Sequence, residues 1–138
     1  MQRYRSRISG PLLDRIDLQV EVPAVPYEDL KKTKSDVDST TMRERIGAAR
    51  EMQEARYADL PILTNSELEG AALEEFCSVG DAEHDFLKQA VHSLGLSARA
   101  YTRVLRIART IADLDMAADI DSGHLAEAIS YRTMDRQG

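Results

Sequence analysis

The run Leu94-Gly95-Leu96-Ser97-Ala98-Arg99-Ala100-Tyr101-Thr102-Arg103-Val104-Leu105-Arg106-Ile107-Ala108-Arg109-Thr110-Ile111-Ala112-Asp113-Leu114 constrains the fold more than any other stretch of the chain. Glycine accepts the left-handed conformation that ends many helices, and a serine hydroxyl can take up a free amide in the first turn of the next one. Gly95 and Ser97 therefore mark the end of one helix and the start of another. From Ser97 to about Asp113, residues Ala100, Val104, Ile107, Ala108 and Ile111 fall on one face at about 100° per residue. Such a helix needs an apolar surface to lie against.

The flanking segments supply helices for it. Asp81 can cap a helix carrying Phe86, Leu87, Ala90, Val91 and Leu94 on one face, and Asp121 can cap another bearing Leu125, Ala128 and Ile129. Upstream, Thr41-Met42-Arg43-Glu44 has the spacing of a reciprocal cap and predicts a helix running to about Tyr57, with Pro61 as the break. A looser stretch at Thr64-Asn65-Ser66 leads into a short helix from Gly70 to Cys77 that carries Leu73, Phe76 and Cys77. No repeat or low-complexity block interrupts the pattern, so residues 41–138 read as a small all-helical bundle. Before it, Leu18-Gln19-Val20-Glu21-Val22 alternates apolar and polar residues and predicts a half-buried strand that stops at Pro23. Residues 23–40, with Pro23, Pro26 and the polar run from Lys34 to Thr40, read as an exposed connection. The expected organisation is thus an edge segment over 1–22, a linker over 23–40 and a helical domain over 41–138.

Composition narrows the function classes. A chain of 138 residues with 43% hydrophobic and 30% charged residues suits one compact unit. No apolar run approaches the roughly 20 residues that span a bilayer, and Met1-Gln2-Arg3-Tyr4-Arg5 lacks the apolar stretch of a secretory signal, so a cytoplasmic protein with no membrane partner is expected. The single cysteine, Cys77, has no internal disulfide partner and reads as a small core residue. A net charge of -6 argues against a surface that is wholly a nucleic-acid footprint. The charges are uneven, however. Residues 1–60 hold 11 basic and 11 acidic side chains, residues 61–138 hold 7 and 13, and four of those seven are Arg99, Arg103, Arg106 and Arg109.

On the helix from Ser97, Arg103 lies about 40° and Arg106 about -20° from Arg99, which makes a stripe opposite the apolar face. A solvated face with pairing one turn apart would account for the stripe as a whole. Arg99 is different, because it occupies the first turn, where the positive end of the helix dipole opposes a cation by about 0.3–1 kcal/mol. A bound phosphate would relieve that conflict. The second dense segment is Ser9-Gly10-Pro11-Leu12-Leu13-Asp14-Arg15-Ile16-Asp17, where Gly-Pro makes a sharp turn and Arg15 stands between two acids. Spacing alone leaves Arg15 either in a local salt bridge or in a functional role. His84, His92 and His124 have no metal-ligand spacing and read as surface residues, so no metal site is expected. Arg3, Arg5 and Arg7 with Tyr4 form a basic strip that either is solvated or touches nucleic acid or a subunit boundary.

Ser9 to Asp17 followed by an alternating strand resembles the segment of magnesium-chelatase-like and replicative-helicase AAA+ ATPases in which the arginine of an L-x-R-[FI]-[DG] run is the arginine finger; here that position is Arg15. Residues 65–77 (NSELEGAALEEFC), 94–114 and 124–132 (HLAEAISYR) resemble the C-terminal lid of the same family, and L-S-A-R-A-Y resembles its competence-protein branch, placing the sensor-2 arginine at Arg99. The resemblance implies a mainly α chain: a helical AAA+ lid preceded by a strand and loop from the edge of the α/β nucleotide core. It also implies a homo-oligomeric ring, expected to be a hexamer, that uses ATP and magnesium, acts on DNA in recombination or natural transformation, and completes each site with an arginine from the neighbouring subunit. No G-x-x-x-x-G-K-[ST] loop and no acidic magnesium-binding segment occur in these residues. Both are therefore expected upstream in a longer protein, with Met1 a boundary, the stretch 1–22 partly disordered when detached from its sheet, and no ATP bound or hydrolysed by these residues alone. The competing expectations are a chelatase motor subunit that drives metal into a porphyrin, and a non-enzymatic helical interaction module.

Overall fold

The structure, a computed structural model, describes residues 9–31 and 38–132. Among them are six α-helices: α1 (Gly10–Arg15), α2 (Ser39–Arg56), α3 (Gly70–Phe76), α4 (Asp81–Leu94), α5 (Ala98–Leu114) and α6 (Ser122–Ser130). Short 3-10 turns occupy Asp29–Lys31 and Asn65–Glu67. The chain is mainly helical, as its periodicity requires. The basic strip at Arg3, Arg5 and Arg7, and residues 32–37 of the connection, lie outside the described residues.

Helix α5 is the axis of the bundle. It packs against α6, α2, α3 and the Asn65–Glu67 turn, while α4 covers α6 from the other side. Ala100 of α5 is buried, and Val104, Leu105, Ala108, Ile111 and Ala112 of the same helix join Leu68, Leu87, Ile120, Leu125 and Ala128 in one core. Burial removes apolar area from water at roughly 25 cal/mol per Å², and a continuous stripe on the central helix lets four neighbours share it. Tyr57 closes the core edge-on against Phe76, with ring centroids 5.3 Å apart. Cys77 is buried in the same cluster, and burial pushes its thiol up to about 11, which leaves it inert as a nucleophile near neutrality.

The helix boundaries follow their caps. Gly95 ends α4 at φ 62, and Ser97 opens α5 by accepting from the Ala100 amide at 3.1 Å. Asp121 opens α6 and shares a reciprocal cap with His124: its carboxylate accepts from the His124 amide, and the His124 Nδ1 accepts from the Asp121 amide, both at 3.0 Å. His124 is consequently buried rather than a surface residue, whereas His84 and His92 are exposed. At α2 the cap differs from the expected one. Asp38, not Thr41, is the capping residue, and its carboxylate accepts from the Thr41 amide at 2.7 Å, so the cap lies three residues earlier.

Residues 18–22 form no strand ladder among the described residues. Gln19 makes one isolated parallel bridge to Arg132 and is buried, while Leu18, Val20 and Val22 stand exposed. The half-buried strand expected over 18–22 therefore does not form among the described residues: Gln19 alone of the five is buried, and Leu18, Val20 and Val22 have no described sheet to pack in.

Candidate functional site

The arginine-rich face of α5 is not a uniform solvated stripe. Arg106 is half-buried, and its Nε donates to the Leu68 carbonyl at 2.7 Å, tying α5 to the start of α3. Arg103 is also half-buried and pairs with Asp17 of the N-terminal segment. Burial, followed by the nearby charges of Arg132 and Arg106, pulls the Arg103 pKa below its ordinary value. Arg109 is buried, donates from Nη1 and Nη2 to the Ala118 and Ala117 carbonyls at 2.9 and 2.8 Å, and meets Asp113 one turn on. Arg99 alone of the four is exposed and has no hydrogen bond or ion pair among the described residues.

The N-terminal segment sorts its charges in the same way. Helix α1 is capped by Ser9 and ends on Arg15. The two acids flanking Arg15 in sequence are turned elsewhere: Asp17 to Arg103, and Asp14 toward Arg132, 3.9 Å from its Nη2. The local salt bridge that spacing allowed is therefore absent, and Arg15 is exposed with no hydrogen bond or ion pair among the described residues. A cation at the last residue of a helix is favoured by the dipole, whereas Arg99 is opposed by it. No hydrogen bond joins Arg15 to Arg99 among the described residues, but their segments meet at Arg103, one turn along α5 from Arg99. Beside that meeting point lies a cleft of about 350 Å³, lined in part by Asp17, Leu18, Arg103, Arg106, Ile107 and Tyr131.

Two features of this region were not assigned from sequence. The first is Arg132, which is almost completely buried and donates from Nη1 to the Ile16 carbonyl at 2.5 Å. The second is a polar core around Asp113. Its carboxylate accepts from Arg56 Nη1 and Nη2 at 2.9 and 2.5 Å, from Asn65 Nδ2 at 2.8 Å and from Arg109 Nε at 3.2 Å. Asn65 is itself saturated: its amide nitrogen also donates to Thr110, its carbonyl accepts from Tyr57 Oη at 2.6 Å, and its backbone amide donates to Gln53. Burial alone would raise the Asp113 pKa, but the Arg56 and Asn65 hydrogen bonds and the adjoining positive charges outweigh it and hold the carboxyl below its usual range. An acid within an apolar helical run, as in Thr110-Ile111-Ala112-Asp113-Leu114, was the available signal for this core.

Chemically, the exposed guanidiniums of Arg15 and Arg99 can each receive an anion, and the fork geometry suits phosphate oxygens. No group of three or more His, Cys, Asp or Glu side chains that could hold a metal ion occurs among the described residues. No described helix is long and apolar enough to cross a membrane.

Residues 36–132 match the family described as magnesium chelatase, subunit ChlI C-terminal, and residues 1–30 match magnesium chelatase, subunit ChlI. The chain is 42% identical over 137 residues to competence protein ComM of Haemophilus influenzae, covering 99% of this chain and 26% of that protein. It is likewise 42% identical over 135 residues to the uncharacterized protein YifB of Salmonella typhimurium and to that of Escherichia coli, covering 97% of this chain and 26% of each relative. The chain thus spans about a quarter of the length of the curated relatives it matches.

Proposed function

Because this chain belongs to the magnesium chelatase subunit ChlI C-terminal family, we propose that it is the helical lid and the trans-acting edge of a ring-forming AAA+ ATPase that remodels DNA. On this reading ATP binds between subunits, on a phosphate loop and magnesium ligands supplied by another part of the protein. Arg99, on the lid of the nucleotide-binding subunit, contacts the phosphates and links lid orientation to nucleotide state. Arg15 reaches the site of the neighbouring subunit and stabilises charge that develops on the transferred phosphoryl group.

The observation that carries the reading is the sorting of the arginines. In each of the two motif segments, the arginine at the family's functional position is the one without a protein partner among the described residues, while Arg103, Arg106 and Arg109 are engaged. An unpaired cation in the first turn of α5 is a local cost unless an anion meets it. DNA is favoured over a porphyrin by the L-S-A-R-A-Y phrase and by the similarity to a protein named for competence.

Two measurements test this in the full-length protein. Arg99→Ala is expected to weaken the response to ATP by about ten- to a hundredfold, the loss of a charge-assisted hydrogen bond of about 1.5–3 kcal/mol. The melting temperature should hold, because Arg99 is exposed and has no hydrogen bond or ion pair among the described residues; an unchanged ATPase profile removes the sensor role. Forked or branched DNA at low salt is expected to raise the ATPase rate, and the stimulation should fade as salt rises. A rate indifferent to DNA at low salt overturns the DNA reading in favour of another target.

A further inference from the structure

We infer that Arg132, assisted by Arg103, is the positioning residue for Arg15, so that the lid of one subunit sets the reach of the arginine its own chain offers to the neighbouring site. The inference deepens the proposed function and rests on Arg15 acting in trans.

The geometry is specific to the two residues that flank Arg15. The Arg132 guanidinium donates from Nη1 to the carbonyl of Ile16, the residue that caps α1, at 2.5 Å, and its Nη2 lies 3.9 Å from the carboxylate of Asp14. Arg15 therefore stands between a residue hydrogen-bonded by Arg132 and one that faces the same guanidinium at ion-pair distance. The grip continues along the segment. Asp17 pairs with Arg103, and the Gln19 amide donates to the Tyr131 carbonyl at 2.7 Å, beside the Gln19–Arg132 bridge.

Apolar packing gives α1 little hold, because none of its residues is fully buried, Leu13 is half-buried, and Leu12 and Ile16 are exposed. The helix is placed by polar ties at positions 14, 16, 17 and 19, all directed to the end of α6 or to the arginine face of α5. Detaching it would also be unfavourable on the lid side. Arg132 would lose the Ile16 carbonyl and Asp14, and Arg103 would remain half-buried beside Arg132 and Arg106 without the offsetting carboxylate of Asp17. The finger segment and the lid consequently move as one piece. Arg99 follows the nucleotide of its own subunit, and the same piece carries Arg15 toward the next one.

The test uses the full-length protein and mixtures of variant subunits. Arg132→Gln is expected to lower kcat by between about tenfold and a hundredfold, the scale of a small misplacement of a catalytic group, with the KM for ATP within about twofold. Mixed with subunits inactivated in the phosphate loop, Arg132→Gln subunits should regain activity, because their intact phosphate loops meet intact fingers. Mixed with Arg15→Ala subunits they should not, since both lack a placed finger. If Arg15→Ala is rescued by the phosphate-loop variant but Arg132→Gln is not, the positioning role is overturned and the finger survives. If Arg15→Ala itself is not rescued, the underlying reading fails. Should Arg132→Gln fail to assemble, Asp17→Ala decides, since it removes the Arg103 tie from a largely exposed carboxylate: a several-fold loss of kcat that is rescued in trans supports the role, and a normal kcat overturns it.

Discussion

Arg15→Ala in the full-length protein is expected to leave ATP binding intact and to lower turnover by about 10³–10⁵, the contribution of an arginine finger to phosphoryl transfer. The size follows from charge placement. A guanidinium that meets negative charge only as it develops contributes to kcat and not to KM, and a water-excluded subunit boundary strengthens the interaction. Structural damage is an inadequate account of such a loss, because Arg15 is exposed, has no hydrogen bond or ion pair among the described residues, and sits on a helix that buries nothing. Arg15→Lys should recover little, since an ammonium does not reproduce the planar fork. The assay is steady-state ATPase together with nucleotide binding at equilibrium. A variant that binds ATP and turns over at the normal rate removes the finger role.

The second large effect concerns stability. Asp113→Ala is expected to destabilise the bundle by about 3–5 kcal/mol, the scale for removing one member of a buried ion pair. The aspartate is 0% exposed and receives Arg56, Asn65 and Arg109, so its loss leaves two cations near one another and an amide donor unsatisfied. Thermal melting of this chain should show a fall of about 3–4 °C for each kcal/mol lost. Acidity should reveal the same network. Because the folded Asp113 pKa lies below its ordinary value, its contribution is present above the unfolded carboxylate pKa and is lost as pH falls through the folded one. The Asp113→Ala variant should lack that component of acid unfolding. A melting temperature within a degree or two of the parent would show that the polar core is dispensable.

The bundle was legible because its signals are local. Gly95, Ser97 and Asp121 act on neighbours three or four residues away, and the stripe of α5 needs no knowledge of what it faces. At α2 the cap expected at Thr41 is supplied by the Asp38 carboxylate, three residues earlier. What escaped was long-range. Whether Arg103 and Arg106 face water or protein depends on Asp17 and Leu68, which no helical period can bring to them. The same holds for Asp113 with Arg56, 57 residues apart, and for His124, whose burial follows from Asp115 and Asp121 closing around it. Arg15 was chosen by motif and Arg99 by motif together with its place in the first helical turn; their lack of hydrogen-bond or ion-pair partners among the described residues is a property that only the three-dimensional arrangement could display.

The hydrogen bond from Arg132 to the Ile16 carbonyl closes a span of 116 residues. A ribosome extends a chain at about 5–20 residues per second, so Ile16 leaves it well before Arg132 exists. Throughout that interval α1 lacks its ties to the bundle, and Leu12, Leu18 and Val20 are exposed even in the folded chain. Docking of the segment therefore comes last, after α6 has formed its final turn. A chain that lacks Tyr131 and Arg132 can fold α2 to α5, yet it loses the ties from the end of α6 that hold its N-terminal helix to the bundle.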